Sequence, residues 1–255
     1  MRIRYAGNTH VGMKRDHNED SLFLYADQNV YIVADGMGGH ASGEVASQMA
    51  VETLAKFFKE TEEDDEITWP FKMDKDRKYQ ESRLCTAVKL ANLSIYESAL
   101  ANAKQKGMGT TIVVTFFTDK HAYVAHVGDS RVYRIRGGDM IQVTEDHSLL
   151  NDYIKMKDLT PEEIENFPHK NVIVRALGMK ETVRVDVSCD EPQDGDIYLL
   201  CSDGLNGMVS DPEIRDTVLS CNDDLELACN RLIQKANEHG GTDNVTVVLA
   251  QYLSD

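Results

Sequence analysis

The chain reads as an α+β protein: a four-layer α/β/β/α sandwich of two mainly antiparallel sheets flanked by helices. Three observations lead there. Short β-branched and aromatic runs bounded by Gly, Asp and Asn recur along most of the 255 residues. Two of the breaks between them, Asp119-Lys120 and Gly137-Gly138-Asp139, read as hairpin turns that join antiparallel neighbours. Helical stripes come in blocks instead of alternating with single strands, which argues against repeated βαβ units. Layered domains of this size are commonly undivided, so one domain over 1–255 is expected, with no linker and no internal repeat.

In chain order, strands are predicted over 3–6, 22–25 and 30–34. A helix over 41–58 follows from the stripe Val45, Met49, Leu54, Phe57 and Phe58, with Ser42 as its cap ahead of Glu44. An acidic run, Glu60-Thr61-Glu62-Glu63-Asp64-Asp65-Glu66, continues to about residue 80 and reads as a solvated surface insertion. A second helix over 84–104 carries Val88, Ala91, Ile95, Ala99 and Ala103 on one face. Strands then fall at 111–117, 122–127, 132–135 and 140–143. Residues 161–166 begin with the Thr-Pro-Glu-Glu start signal of a short helix. Strands at 183–187 and 197–201, a helix at 225–237 and a last strand at 245–251 complete the order.

Composition narrows the function classes. With 27 basic and 43 acidic residues the net charge is −16, which argues against nucleic-acid or anionic-membrane surfaces. No apolar stretch approaches the length of a membrane span, and Met-Arg-Ile-Arg-Tyr lacks a signal peptide's apolar core. Five cysteines are scattered without a C-x-x-C pair, as expected of reduced thiols in a cytoplasmic protein.

Four aspartates sit where an apolar run ends: Asp35, Asp129, Asp203 and Asp243. A fifth acidic element, Asn18-Glu19-Asp20, precedes the run Ser-Leu-Phe-Leu-Tyr. Carboxylates from five distant segments converge only if the fold gathers those strand ends at one edge. There they would repel by several kcal/mol unless cations neutralise them. Oxygen-only ligation selects hard ions such as Mg²⁺ or Mn²⁺ over zinc. Two such ions lower the pKa of a shared water, a chemistry suited to in-line attack on phosphorus. Arg15, four residues before Glu19, is the candidate counter-charge for a phosphate, because its fork matches two phosphate oxygens.

Six blocks stand in a specific order: Gly12-x-x-Arg15-x-x-Asn18-Glu19-Asp20, Val33-Ala34-Asp35-Gly36-Met37-Gly38-Gly39-His40, Gly109-Thr110-Thr111, Val127-Gly128-Asp129-Ser130-Arg131, Cys201-Ser202-Asp203-Gly204-Leu205 and Thr242-Asp243-Asn244-Val245-Thr246. In this order they resemble the protein phosphatase 2C family of metal-dependent serine/threonine phosphatases, in its bacterial branch, over about residues 7–252. The resemblance implies hydrolysis of phosphoserine and phosphothreonine in proteins, opposing a serine/threonine protein kinase; a monomer is the default expectation. It implies that Asp35 bridges two Mn²⁺ or Mg²⁺ ions, with Asp203 and Asp243 on the first and Glu19 and the Gly36 carbonyl on the second. Asp129 with Asp203 would hold a third, weaker ion. Asp20 would orient bound water, Arg15 would hold the substrate phosphate, and Asn244 would support the site beside Asp243. Many eukaryotic members carry a histidine as general acid after the Asp-Gly; here that position is Met37, and either His40, three residues on, or a metal-bound water would supply the proton, with His40 otherwise capping or packing at the helix start. Residues 146–178 resemble the family's flap, where Arg175 would either meet substrate or pair with an acid.

Competing readings fare less well. A silent phosphoprotein adaptor would be expected to have lost a ligand, and Glu19, Asp35, Asp203 and Asp243 are all present. A nuclease or phosphodiesterase sits poorly with the negative charge and the lack of a basic stripe. A structural calcium site needs ligands spaced closely within one loop.

Overall fold

The computed structural model of the protein describes residues 1–38, 42–61, 78–157, 159–168 and 172–254. Its elements are β1 (Arg2–His10), β2 (Asp20–Tyr25), β3 (Val30–Met37), α1 (Ser42–Glu60), α2 (Tyr79–Ala101), β4 (Gly109–Thr110), β5 (Ile112–Phe117), β6 (Ala122–Val127), β7 (Arg131–Arg136), β8 (Asp139–Gln142), α3 (Leu149–Met156), α4 (Pro161–Glu165), β9 (Asp186–Asp190), β10 (Ile197–Cys201), α5 (Asp203–Asn206), α6 (Asp211–Leu219), α7 (Leu225–Glu238) and β11 (Val245–Leu253).

Two antiparallel sheets form the middle of the molecule, ordered β1-β11-β10-β7-β8 and β2-β3-β5-β6-β9, with β4 paired to β3. Alternation of side chains decides which core each strand feeds. In β3, Val30, Ile32 and Ala34 face the layer of α1 and α2, while Tyr31 and Val33 face the other sheet. In β11, Val245, Val247 and Leu249 pack on α6 and α7, while Val248, Ala250 and Tyr252 fill the space between sheets. Both sheets are thus buried on two faces, which is why these strands read as continuous apolar runs. The predicted four-layer sandwich is the observed architecture.

Several boundaries differ from expectation, each for a local reason. The helix expected over 84–104 runs from Tyr79 to Ala101 and stops at Asn102, whose backbone is extended and whose side chain accepts from the Lys104 N–H. Ser42 is a residue of α1 and not its cap. The strand expected at 183–187 lies at Asp186–Asp190, because its partner β6 ends at Val127 and only these residues reach a ladder. Helix α6 was not anticipated, although Ser-Asp-Pro-Glu announces it: Glu213 accepts from the Ser210 N–H at 3.2 Å and its hydroxyl at 2.8 Å. Helix α3, within the flap-like segment, was also not anticipated; Ser148 caps it. Most of the acidic insertion, residues 62–77, lies outside the described residues, as do His40 and His169.

This topology places five chain segments at one edge of the sandwich: the starts of β2 and β11, the ends of β3 and β10, and the turn between β6 and β7.

Candidate metal centre

Asp20 and Asp35 lie directly opposite each other on β2 and β3. Asp203 begins α5 just after β10, and its carboxyl lies close enough to those of Asp35 and Asp243 to be perturbed by them. Asp129 ends the β6 run, and Asp243 precedes β11. The edge therefore brings together the carboxylates that the sequence singles out.

Glycines let these segments approach. A Cβ on Gly204 would stand 1.9 Å from the Asn244 carbonyl oxygen, and one on Gly36 would stand 2.1 Å from that of Gly43. Gly12 lies at φ +82, with its Cα beside the Asp243 carbonyl. A Cβ on Gly43 would meet the Glu19 carboxylate at 2.7–2.9 Å, so α1 begins against that side chain.

Asp20 is held from the opposite sheet. Its Oδ2 accepts from Thr246 Oγ1 at 2.6 Å and from Ser202 Oγ at 2.8 Å. Behind Thr246 stands a relay: the Asn18 amide donates to Thr9 Oγ1 at 2.9 Å, and the Thr9 and Thr246 hydroxyls lie 2.7 Å apart. Asn18 Oδ1 also accepts the Asp20 N–H. Asp35 is fixed through its backbone, where Thr111 Oγ1 accepts its N–H at 3.1 Å and Thr110 Oγ1 donates to its carbonyl at 2.8 Å. Ser202, Thr246, Thr110 and Thr111 carry no role in the sequence reading. Hydroxyl residues inside or beside apolar strands are the signal that could have found them.

Asn244 is a clamp. Its amide nitrogen donates to the carbonyls of Val11 and His17, both at 2.9 Å, and its Oδ1 accepts the Glu19 N–H at 2.8 Å. One side chain thereby positions the loop that carries Arg15 and Glu19. Arg15 Nη2 bonds Asp243 Oδ2 at 2.6 Å, at the mouth of a cleft of about 300 Å³ also lined by Glu19, Gly38 and Asn244.

Charge crowding dominates the electrostatics. Burial, then the neighbouring Asp203 and Asp243, push the Asp20 carboxyl up to about 7. Burial, then Asp203, push Asp129 up to about 7 as well. Asp35 stands well above the ordinary carboxylate range for the same reasons, and Asp203 and Glu19 are also raised, chiefly by burial. Oδ1 of Asp20 and Oδ1 of Asp129 are buried and accept no hydrogen bond among the described residues. A buried carboxylate oxygen without a donor is costly, and a cation removes that cost. The donors are oxygen only, which fits hard divalent cations and not zinc.

A second cluster lies behind Asp129. His147 Nδ1 accepts the Gly128 N–H at 3.0 Å, and its Nε2 lies 2.9 Å from Asp186 Oδ2. His126 stacks on it at 4.6 Å between ring centroids. Potential ligand atoms of His126, His147 and Asp186 lie within 4.8 Å of one another. The hydrogen bonds argue against a metal there. With Nδ1 accepting from a backbone amide, the proton of neutral His147 sits on Nε2, which faces Asp186 Oδ2 and also has Arg175 Nη1 at 2.9 Å. Burial, then His126, hold His147 down at about 4, so it is neutral at pH 7. Arg175 Nη1, 3.1 Å from Asp186 Oδ2, already supplies the positive charge. Of the two alternatives for Arg175, pairing with an acid is the one observed. Arg131 likewise bonds Asp146 in a fork, at 2.9 and 2.7 Å.

The model of the family described as protein phosphatase 2C matches residues 6–251. The chain belongs to the protein phosphatase 2C family. Protein phosphatase PhpP of Streptococcus pneumoniae is 40% identical over 246 residues, which is 94% of each chain. The crystal structure of the Mycobacterium tuberculosis serine/threonine phosphatase PstP/Ppp superposes with a TM-score of 0.86 at 36% identity, covering 100% of both chains. A structure of the catalytic domain of PstP in complex with two manganese ions gives a TM-score of 0.82 at 35% identity, covering 99% of each.

Proposed function

We propose that this phosphatase 2C chain hydrolyses phosphoserine and phosphothreonine in proteins and depends on Mn²⁺ or Mg²⁺. The observation that carries the reading is the carboxylate edge, with two buried aspartate oxygens that lack a donor among the described residues. A chain 35% identical holds two manganese ions, which supports the choice of metal. Asp35, Asp203, Asp243, Glu19 and the Gly36 carbonyl would hold two ions, with Asp35 central to the cluster of buried carboxylates. Asp129 and Asp203 would hold a weaker third. When bound, the cations supply Lewis acidity, lowering the pKa of water and offsetting charge on the phosphoryl group.

The side chains then divide the work. Asp20, gripped by Ser202 and Thr246, has one oxygen fixed and the other without a donor among the described residues, which leaves it free to orient water for in-line attack. Arg15 exchanges Asp243 for the substrate phosphate, whose two oxygens its fork matches. Asn244 keeps Arg15 and Glu19 in register with Asp243. Met37 offers no proton to the leaving alkoxide; His40, the alternative donor, lies outside the described residues.

A serine/threonine protein kinase is the opposing activity in this reading. The chain acts as a monomeric single domain, with 60–80 as surface insertion and 146–178 as flap. All five cysteines are free, which supports a cytoplasmic setting. Among the described residues no helix is long and apolar enough to cross a membrane.

Phosphate release from a phosphothreonine peptide tests the reading. Turnover with roughly millimolar Mn²⁺ is expected to vanish in EDTA and to fall by at least about 10²-fold in Asp203→Ala. Activity that survives both treatments, or a folded protein that binds Mn²⁺ without any turnover, would refute it.

A further inference from the structure

A basic cleft lies one strand beyond the carboxylate edge. Leu177 pairs with Thr110, whose strand β4 pairs with the end of β3 at Gly36 and Met37. Just past Leu177 the chain turns at Gly178 and lines a cavity of about 260 Å³ whose charged residues are Arg175, Lys180 and Arg184, with Val174, Met179 and Val183 as apolar walls. Met179 reaches back to the site: a Cβ on Gly109 would lie 3.1 Å from its sulfur.

The cleft is preformed. Asn92, a buried residue of α2, donates to the Lys180 and Glu181 carbonyls at 3.1 and 3.0 Å, and accepts the Gly178 N–H at 2.9 Å. Asp186 is a single carboxylate shared by Arg175 and Arg184, at 3.1 and 3.2 Å. One guanidinium charge is therefore left over, and Lys180 adds another. Arg184 keeps 80% of its side chain exposed. In a chain of net charge −16, a positive recess with apolar walls this close to the metal edge is a local reversal of sign. Its chemistry complements a carboxylate side chain beside an apolar one.

We propose that this cleft binds an acidic segment of the phosphoprotein substrate, flanking the phosphorylated residue. The inference rests on the phosphatase reading and narrows its substrate class. Two strand spacings separate β3 from Leu177, about 10 Å, and Lys180 follows Leu177 by three residues. An extended peptide rises about 3.3 Å per residue, so the acidic side chains fall roughly three to five positions from the phosphothreonine.

The test compares three phosphothreonine peptides: one with Glu at those positions on the N-terminal side, one with Glu on the C-terminal side, and one with Gln at both. Each is assayed with wild type and with the double variant Lys180→Glu/Arg184→Glu at low and high salt. Both substituted side chains are exposed, so folding is not at stake. For one of the two acidic peptides, kcat/KM is expected to exceed that of the Gln peptide by about three- to tenfold at low salt. High salt and the double variant should each bring that ratio to about one. A ratio of one in wild type for both acidic peptides, or a preference that survives charge reversal, would overturn the proposal. Anisotropy of fluorescent, unphosphorylated versions of the peptides separates the two readings. If wild type turns over none of the peptides, the phosphatase reading fails, and equal affinity for the acidic and Gln peptides then sinks the docking site too.

Discussion

Replacing Thr246 by valine removes one hydroxyl from the centre of the Asp20 grip and keeps the β-branched shape that the strand needs. The lost bond, 2.6 Å long and buried, joins a hydroxyl to a carboxylate. Such bonds are worth about 1.5–3 kcal/mol. Ser202 still donates to the same oxygen, so Asp20 keeps its place but loses much of the stabilisation of its charged form. The relay through Asn18 and Thr9 also loses its endpoint. At 1.36 kcal/mol per unit, the Asp20 pKa is expected to rise by roughly one to two units from its position at about 7. At neutral pH the carboxyl then holds its proton, and a cation entering the site must displace it. Mn²⁺ titrated calorimetrically into EDTA-stripped protein should therefore bind roughly 10- to 100-fold more weakly at about pH 7. The deficit should shrink at about pH 9, where the proton leaves unaided. Circular dichroism establishes that the variant is folded. Affinity within about twofold of wild type at both pH values would show that the hydroxyl grip does not govern the charge on Asp20.

Two further outcomes follow from the same crowding. Because Asp20 and Asp129 titrate near 7 in the fold, and near 4 in an unfolded chain, the native state binds more protons between those values. The metal-free protein should then lose stability as pH rises from about 4 to about 7, by a few kcal/mol and so several degrees of melting temperature. Saturating Mn²⁺ should flatten the slope, and a melting temperature that climbs with pH in EDTA would contradict it. Gly43→Ala sets a methyl against the Glu19 carboxylate. It is expected to weaken Mn²⁺ binding about tenfold while moving the melting temperature by only a few degrees; unchanged binding would mean that Glu19 is not confined by α1.

Much of the architecture is legible in the chain. The continuous apolar run at the start of Val30–Met37 and the hairpin breaks at 119–120 and 137–139 specify antiparallel strands with two buried faces, because side-chain direction along a strand is a local property. The acidic residues at run ends name the candidate site for the same reason. Tertiary structure alone decided how those residues are held. Asp20 and Thr246 are separated by 226 positions, and Glu19 and Asn244 by 225. Nothing periodic in the sequence pairs them. The same holds for the Arg15–Asp243 contact, for the His147 tautomer set by the Gly128 amide, and for the recess where Arg175 and Arg184 share Asp186. Local patterns record which way a side chain points, whereas a hydrogen bond depends on two segments meeting within about 3 Å. Only the closed sandwich fixes that distance.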